Sequence, residues 1–235
     1  MAKKRRATRT AKQAQKGTNW LLLGGSIAAV IVVGGLFYLL FLSLQDQDTP
    51  QITQALSEYC RENPDNCVTK GSDEAPVNIV EVSDYGCGHC RNFNLDTAPL
   101  LENLYVRQGQ VQWVSLPYAL GAATTPAAEA AMCANEQDAY FEFHEKLFEK
   151  QSELQDLTSD GFRPVAQEVG LDMDAFNSCV GGDRYADVIQ ANISAATRAG
   201  VRETPNFYIN DTQYRGNIPL TTFQQAINSI LSASQ

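Results

Sequence analysis

Only two of the 235 residues are histidine, and the six cysteines contain a single Cys-x-x-Cys pair, Cys87-Gly88-His89-Cys90. A structural zinc site needs two further ligands at suitable spacing, and the absence of a second Cys-x-x-Cys argues against one; no metal is expected. Haem attachment is excluded too, because it requires histidine directly after the second cysteine and position 91 is arginine. No internal repeat is found, and no low-complexity tract outside the basic start. Acidic residues are missing from the first 17 positions, which hold seven of the 18 lysines and arginines, so the rest is more acidic than the net charge of -9 implies. Nucleic acid is therefore not an expected partner of the main body.

Charge of either sign is missing from Trp20 to Leu44, WLLLGGSIAAVIVVGGLFYLLFLSL. As a helix this run would be roughly 37 Å long against a hydrocarbon core of about 30 Å. It ends in LSLQDQDTP and lacks the short apolar core and small-x-small site of a cleavable signal, so the expectation is a retained anchor. The cluster KKRRATRTAK before it should stay in the cytoplasm and send the acidic body across. The domain reading is a basic cytoplasmic tail over 1–18, a single transmembrane anchor over 19–44 and a polar stalk over 45–74, followed by the folded body.

What is present beyond the stalk is an α/β pattern. Val77–Val82 is a β-branched run bounded by turn residues, as in a strand buried on both faces. The cysteine pair follows at once, then helical spacing at Phe93, Leu100, Leu101 and Leu104 with Pro99 as a kink, then VQWVSLPY as a second strand. From Tyr118 to Val201 only helical patterns occur, the first with Thr125 as N-cap and Pro126 in its first turn. NFYIN and QYRG suggest a hairpin, and LTTFQQAINSILSAS closes the chain as an amphipathic helix.

A cysteine at a helix start meets unpaired backbone N–H groups and the positive end of the helix dipole, which favour thiolate over thiol. Cys87 holds that position, and Cys90, one turn later on the same face, is placed to resolve a mixed disulfide formed on Cys87. His89 can add positive charge or a hydrogen bond to the Cys87 sulfur. An inert disulfide is the plain alternative, in an unusual place for one.

From about Ala75 to the C-terminus the chain resembles the DsbA-like branch of the thioredoxin superfamily. APVNIVEVSDYGCGHC looks like its first core strand and active-site turn, CANEQDAYFEFHEKLFEKQ like its helical insertion, and GVRETPNFYIN like the segment carrying its cis-proline. The resemblance implies a thioredoxin fold over 75–120 and 201–235, a helical insertion over 121–200, and thiol-disulfide exchange without a cofactor. It gives Thr204-Pro205 as the cis X-Pro loop that pairs with substrate backbone. It makes Glu81 the buried acid beneath the cysteines, with a proton-accepting role toward Cys90. It also implies a Cys133–Cys179 bridge, cysteine-containing protein substrates outside the cytoplasm, and reoxidation by a membrane protein of the DsbB or vitamin K epoxide reductase type. Gly-His stands where the family more usually has proline first, and is the dipeptide of protein disulfide isomerase. The direction of electron flow is thus open between a disulfide donor and a reductase or isomerase, with a non-catalytic binder of unfolded chains as a third reading.

Cys60 and Cys67 would close a loop worth about 2 kcal/mol, either a staple or a secondary electron relay, and RENPDN favours the staple. His144 falls on the apolar stripe Tyr140, Phe141, His144, Leu147 and Phe148, as a hydrogen-bonded core histidine would. The sequons NIS and NDT matter only in a glycosylating host.

Overall fold

The computed structural model describes residues 54–152, 159–210 and 212–233. The apolar run at Trp20–Leu44 lies outside them, and among the described residues no helix is long and apolar enough to cross a membrane.

In chain order the elements are α1 (Gln54–Glu62), β1 (Val68–Lys70), β2 (Val77–Ser83) and α2 (Gly88–Asn92). A π-helical turn (Phe93–Thr97), α3 (Ala98–Leu101) and a second π-helical turn (Glu102–Val106) continue α2. β3 (Val111–Pro117) is followed by α4 (Thr125–Asn135), α5 (Tyr140–Glu149), α6 (Ser159–Val169), α7 (Met173–Gly181) and α8 (Ala186–Arg198). The chain then forms β4 (Asn206–Ile209), β5 (Thr212–Arg215) and α9 (Leu220–Ala233).

The five strands form one sheet in the order β1-β3-β2-β4-β5. β2 runs parallel to β3 and antiparallel to β4, which explains its composition: a strand inside a covered sheet needs apolar residues on both faces. Val80 and Val82 enter the core beneath α1 and α8, together with Val114, Leu116 and Tyr208. Val77 and Ile79 enter the opposite core, where Phe93 packs on Trp113, Phe207 and Phe223. The alternation carries Glu81 to this second side, at the end of the strand nearest the cysteines.

The insertion has its own core. α4, TPAAEAAMCAN, buries five alanines, whose small side chains let neighbouring helices come close while Phe143, Phe148, Phe162 and Phe176 fill the space around them. Cys133 and Cys179 bridge α4 to α7.

Three local expectations shift. The segment read as a stalk from its polarity joins the body from Gln54 onward: Leu56 is buried in the sheet core and β1 pairs with β3. The cysteines of that segment are bonded to each other, Cys60 to Cys67. α4 starts at Thr125, so Thr124 takes the capping position, and its hydroxyl is used elsewhere, on Asp84. Pro99, which has no N–H to return to the preceding turn, lies between the two π-helical turns.

Candidate active site

β2 ends at Ser83, and Asp84-Tyr85-Gly86 turns the chain into α2 with Cys87 as its N-cap residue in extended conformation. The turn is clamped from two sides. The Asp84 carboxylate accepts the Gly86 N–H at 2.7 Å, and Gln151, just beyond α5, donates to the Tyr85 and Cys87 carbonyls.

Both active cysteines are free thiols, and their surroundings drive them apart. Half-buried Cys87 is lowered to about 5: a hydrogen bond from the Cys90 thiol is the largest cause, burial opposes it, and the Thr204 side chain and then the backbone N–H groups of Cys90 and His89 add to the lowering. Fully buried Cys90 is pushed far up, first by burial and then by its bond to Cys87. The Thr204–Pro205 bond is cis, and the Thr204 carbonyl oxygen lies 3.3 Å from the Cys87 sulfur. An open groove lies over Cys87, walled by the active-site turn, by Leu120 and Thr124, and by Arg202, Glu203 and Thr204. Leu120 is 53% exposed there and gives that wall an apolar surface.

Beneath the cysteines lies a buried polar network. Glu81 is 1% exposed and accepts from Asn94 Nδ2 at 2.9 Å, Trp113 Nε1 at 3.0 Å and the Ser83 hydroxyl. Asn94 also donates to the Cys90 carbonyl at 3.1 Å, so one amide joins the acid to the residue it is expected to serve. The Asn94 oxygen can only accept, which assigns a proton to His144 Nε2, 2.9 Å away, and leaves Nδ1 to accept from the Tyr85 hydroxyl at 2.7 Å. Burial lowers His144 to about 4, so it is neutral and its 3.9 Å approach to Glu81 is not an ion pair. A polar pocket lined by Lys70, Glu102 and Phe141 reaches Glu81, Asn94 and His144 from outside.

The fold thus brings Cys87, Cys90, His89, Glu81, Thr204 and Pro205 into one region, while the two bridged pairs stand apart. His89 meets Cys87 through its backbone N–H, and its side chain is exposed along the groove. His144 is the hydrogen-bonded core histidine its stripe suggests, and it also supports the site. Asp84, Asn94 and Gln151 escaped the sequence reading. Asp before Tyr-Gly is a turn signature, and Asn94 falls four residues after Cys90 on one helix face, so two of the three left a local signal. The NIS sequon cannot accept a glycan on the folded chain: Asn192 is wholly buried and donates to the carbonyls of Asn66 and Pro117.

Comparison with known proteins places this arrangement. The family described as Thioredoxin matches residues 63–229. Disulfide bond formation protein D of Bacillus subtilis is 30% identical over 156 residues, which are 60% of this chain and 66% of that protein. The Na(+)/H(+) antiporter NhaA 3 of Salinispora tropica is 31% identical over 176 residues, 74% of this chain but 26% of the antiporter, so the chain spans about a quarter of that relative's length. Among solved structures, oxidised BdbD from Bacillus subtilis superposes with a TM-score of 0.64 at 24% identity, covering 70% of this chain and 92% of that one.

Proposed function

We propose, from the premise that this chain belongs to the thioredoxin family and to its DsbA-like branch, that it is a protein thiol-disulfide oxidoreductase working as a disulfide donor outside the cytoplasm. The observation that carries the direction is the opposed pair of thiols. A stabilised Cys87 thiolate stabilises the dithiol form and makes the Cys87–Cys90 disulfide the more oxidising one.

In the forward step a substrate thiolate attacks the Cys87 sulfur, the Cys87–Cys90 bond breaks and Cys90 leaves with the electron pair. A second substrate thiolate then attacks the substrate sulfur of the mixed disulfide and releases Cys87 as the favoured thiolate. The substrate has lost two electrons and the enzyme holds them as a dithiol. Glu81 exchanges the proton that Cys90 gains or loses, and Asn94, which donates to the Glu81 carboxylate and to the Cys90 backbone carbonyl, positions the acid against that residue without carrying the proton. Thr204 and Pro205 hold the substrate backbone beside Cys87. A membrane protein of the DsbB or vitamin K epoxide reductase type removes the electrons.

The anchor belongs to the same proposal: residues 1–18 cytoplasmic, 19–44 spanning, and the body beyond. Retention of the intact chain in membranes through a carbonate wash is expected, and recovery of a soluble form starting near Gln45 would sink it. Direction is tested by rapid acid quenching and thiol alkylation. A resting Cys87–Cys90 disulfide fits the donor, whereas a dithiol promotes the reductase or isomerase. Glutathione equilibration should give a potential a few tens of millivolts above thioredoxin's roughly -270 mV, since solvent screens part of the effect at half-exposed Cys87. A value at or below that of thioredoxin overturns the assignment.

A further inference from the structure

Asp84 has no part in the chemistry described so far, yet it bonds both cysteines, the active-site turn and the groove wall at Leu120 and Thr124. It is 3% exposed, and its carboxylate takes three uncharged donors: the Gly86 N–H at 2.7 Å on one oxygen, the Leu120 N–H at 2.6 Å and the Thr124 hydroxyl at 2.5 Å on the other. The first donor belongs to the active-site turn, and the other two belong to the opposite wall of the groove. The backbone of the same residue reaches both cysteines. Its carbonyl accepts the Cys87 N–H at 3.0 Å, and its own N–H points at the Cys90 sulfur, 3.5 Å away.

We propose that Asp84 is a positioning residue for the Cys90 half of the exchange: its side chain, bonded on both sides of the groove, holds its backbone N–H on the Cys90 sulfur and so stabilises the Cys90 thiolate as it leaves or attacks. The inference rests on the oxidoreductase reading above. Cys90 is buried among apolar groups, where a thiolate is costly and a single aligned donor counts for much. Only a carboxylate fits the clasp. Asparagine would keep one accepting oxygen and turn an N–H₂ group toward a backbone N–H that can only donate.

The reverse reaction with oxidised glutathione separates the two halves. The Cys87 thiolate attacks the glutathione disulfide and releases one reduced glutathione; the Cys90 thiolate then attacks the Cys87 sulfur, releases the second and closes the enzyme disulfide. Each released thiol is counted by stopped flow. In Asp84→Asn the first step should keep the wild-type rate and the second should slow about tenfold, the effect of one weakened hydrogen bond to a charged group. Thr124→Val, which removes one donor and leaves the carboxylate, should slow it about threefold on the same scale. Gln137→Ala serves as the control, because it deletes two bonds to the Asp172 backbone away from the cysteines and should leave both steps unchanged. A second step within about twofold of wild type in Asp84→Asn, or equal slowing by Gln137→Ala, overturns the inference. If Asp84→Asn does not fold, Thr124→Val decides alone, and an unchanged second step there overturns it. A wild-type chain whose Cys87 does not react with glutathione disulfide sinks the oxidoreductase reading and the inference with it, whereas a normal first step beside an unaltered second step sinks only the inference.

Discussion

The rim around Cys87 and the floor beneath Cys90 are one helical turn apart and are built on opposite terms. The rim offers hydrogen-bond donors beside an open groove: the Cys90 thiol first, then the backbone N–H groups of the α2 start. The floor is side chain upon side chain, with Glu81 from β2, Asn94 after α2, Trp113 from β3 and His144 from α5, all nearly closed to solvent. The same element, sulfur, is held toward thiolate in one region and toward thiol in the other. Reactivity here is set by which donors reach the atom and how much water remains beside it.

Removing each sulfur breaks the comparison most sharply. With Cys90→Ala, Cys87 still attacks but nothing resolves the product, so mixed disulfides should accumulate on gels run without reductant; with Cys87→Ala they should be absent. Equal trapping by both variants would erase the distinction between rim and floor.

The floor should also fail first in acid. His144 is held near 4 when folded against an ordinary 6.5, so as pH falls the unfolded chain binds the proton before the folded one does. Stability from this group is fully present above about 6.5 and is lost as pH drops toward about 4, roughly 3 kcal/mol in all at about 1.36 kcal/mol per unit. Urea midpoints measured from pH 7 to pH 4 should fall steeply in the wild type and less so in His144→Gln. An identical slope in both would remove His144 from the account.

Smaller effects separate the regions further. Glu81→Gln should slow the Cys90 step about tenfold, less than direct general acid-base catalysis provides because the bond through Asn94 reaches the Cys90 backbone carbonyl and not its sulfur, and should leave attack by Cys87 intact. Slowing of the Cys87 step instead would mean that the floor reaches the rim. His89→Ala should give the smallest change, a shift toward a more reducing potential of no more than a few tens of millivolts, because the backbone donor stays and the lost side chain is exposed. Equilibration with glutathione measures it, and a shift as large as the whole gap to thioredoxin would return the main role to the imidazole.

The rim was mostly legible in the sequence and the floor mostly was not, and the reason is distance along the chain. Cys87, Cys90 and the strand before them form one continuous pattern, and Thr204-Pro205 is a local signature within the resemblance. Glu81 was marked by the resemblance alone. The contacts that give it meaning come from Asn94 and Trp113, 13 and 32 positions away, and from His144, 50 positions beyond Asn94, and no local periodicity encodes them. His144 illustrates the same limit: its apolar stripe correctly marked it as buried, but a stripe cannot say that the far side of the ring meets the active-site turn. The start of the body was misplaced for a different reason. The residues around Cys60 and Cys67 are polar because α1 covers the sheet with one face only, so their average composition resembles a stalk while Leu56, Cys60 and Cys67 are buried.

β1 has a practical consequence. Its three residues lie along the outer side of β3, with Val68 opposite Ser115 and Lys70 opposite Trp113, and among the described residues no strand lies beyond them. A shortened chain beginning at residue 75 would keep both active cysteines but would bare the hydrogen-bonding edge of β3, a strand of VQWVSLP composition open to pairing with another copy. It would also strip Asn192 of the Tyr59 hydroxyl and the Asn66 carbonyl. Such a chain should be recovered as aggregate even though every residue of the exchange reaction is present, so a truncation meant to keep the body soluble has to be cut before Gln54.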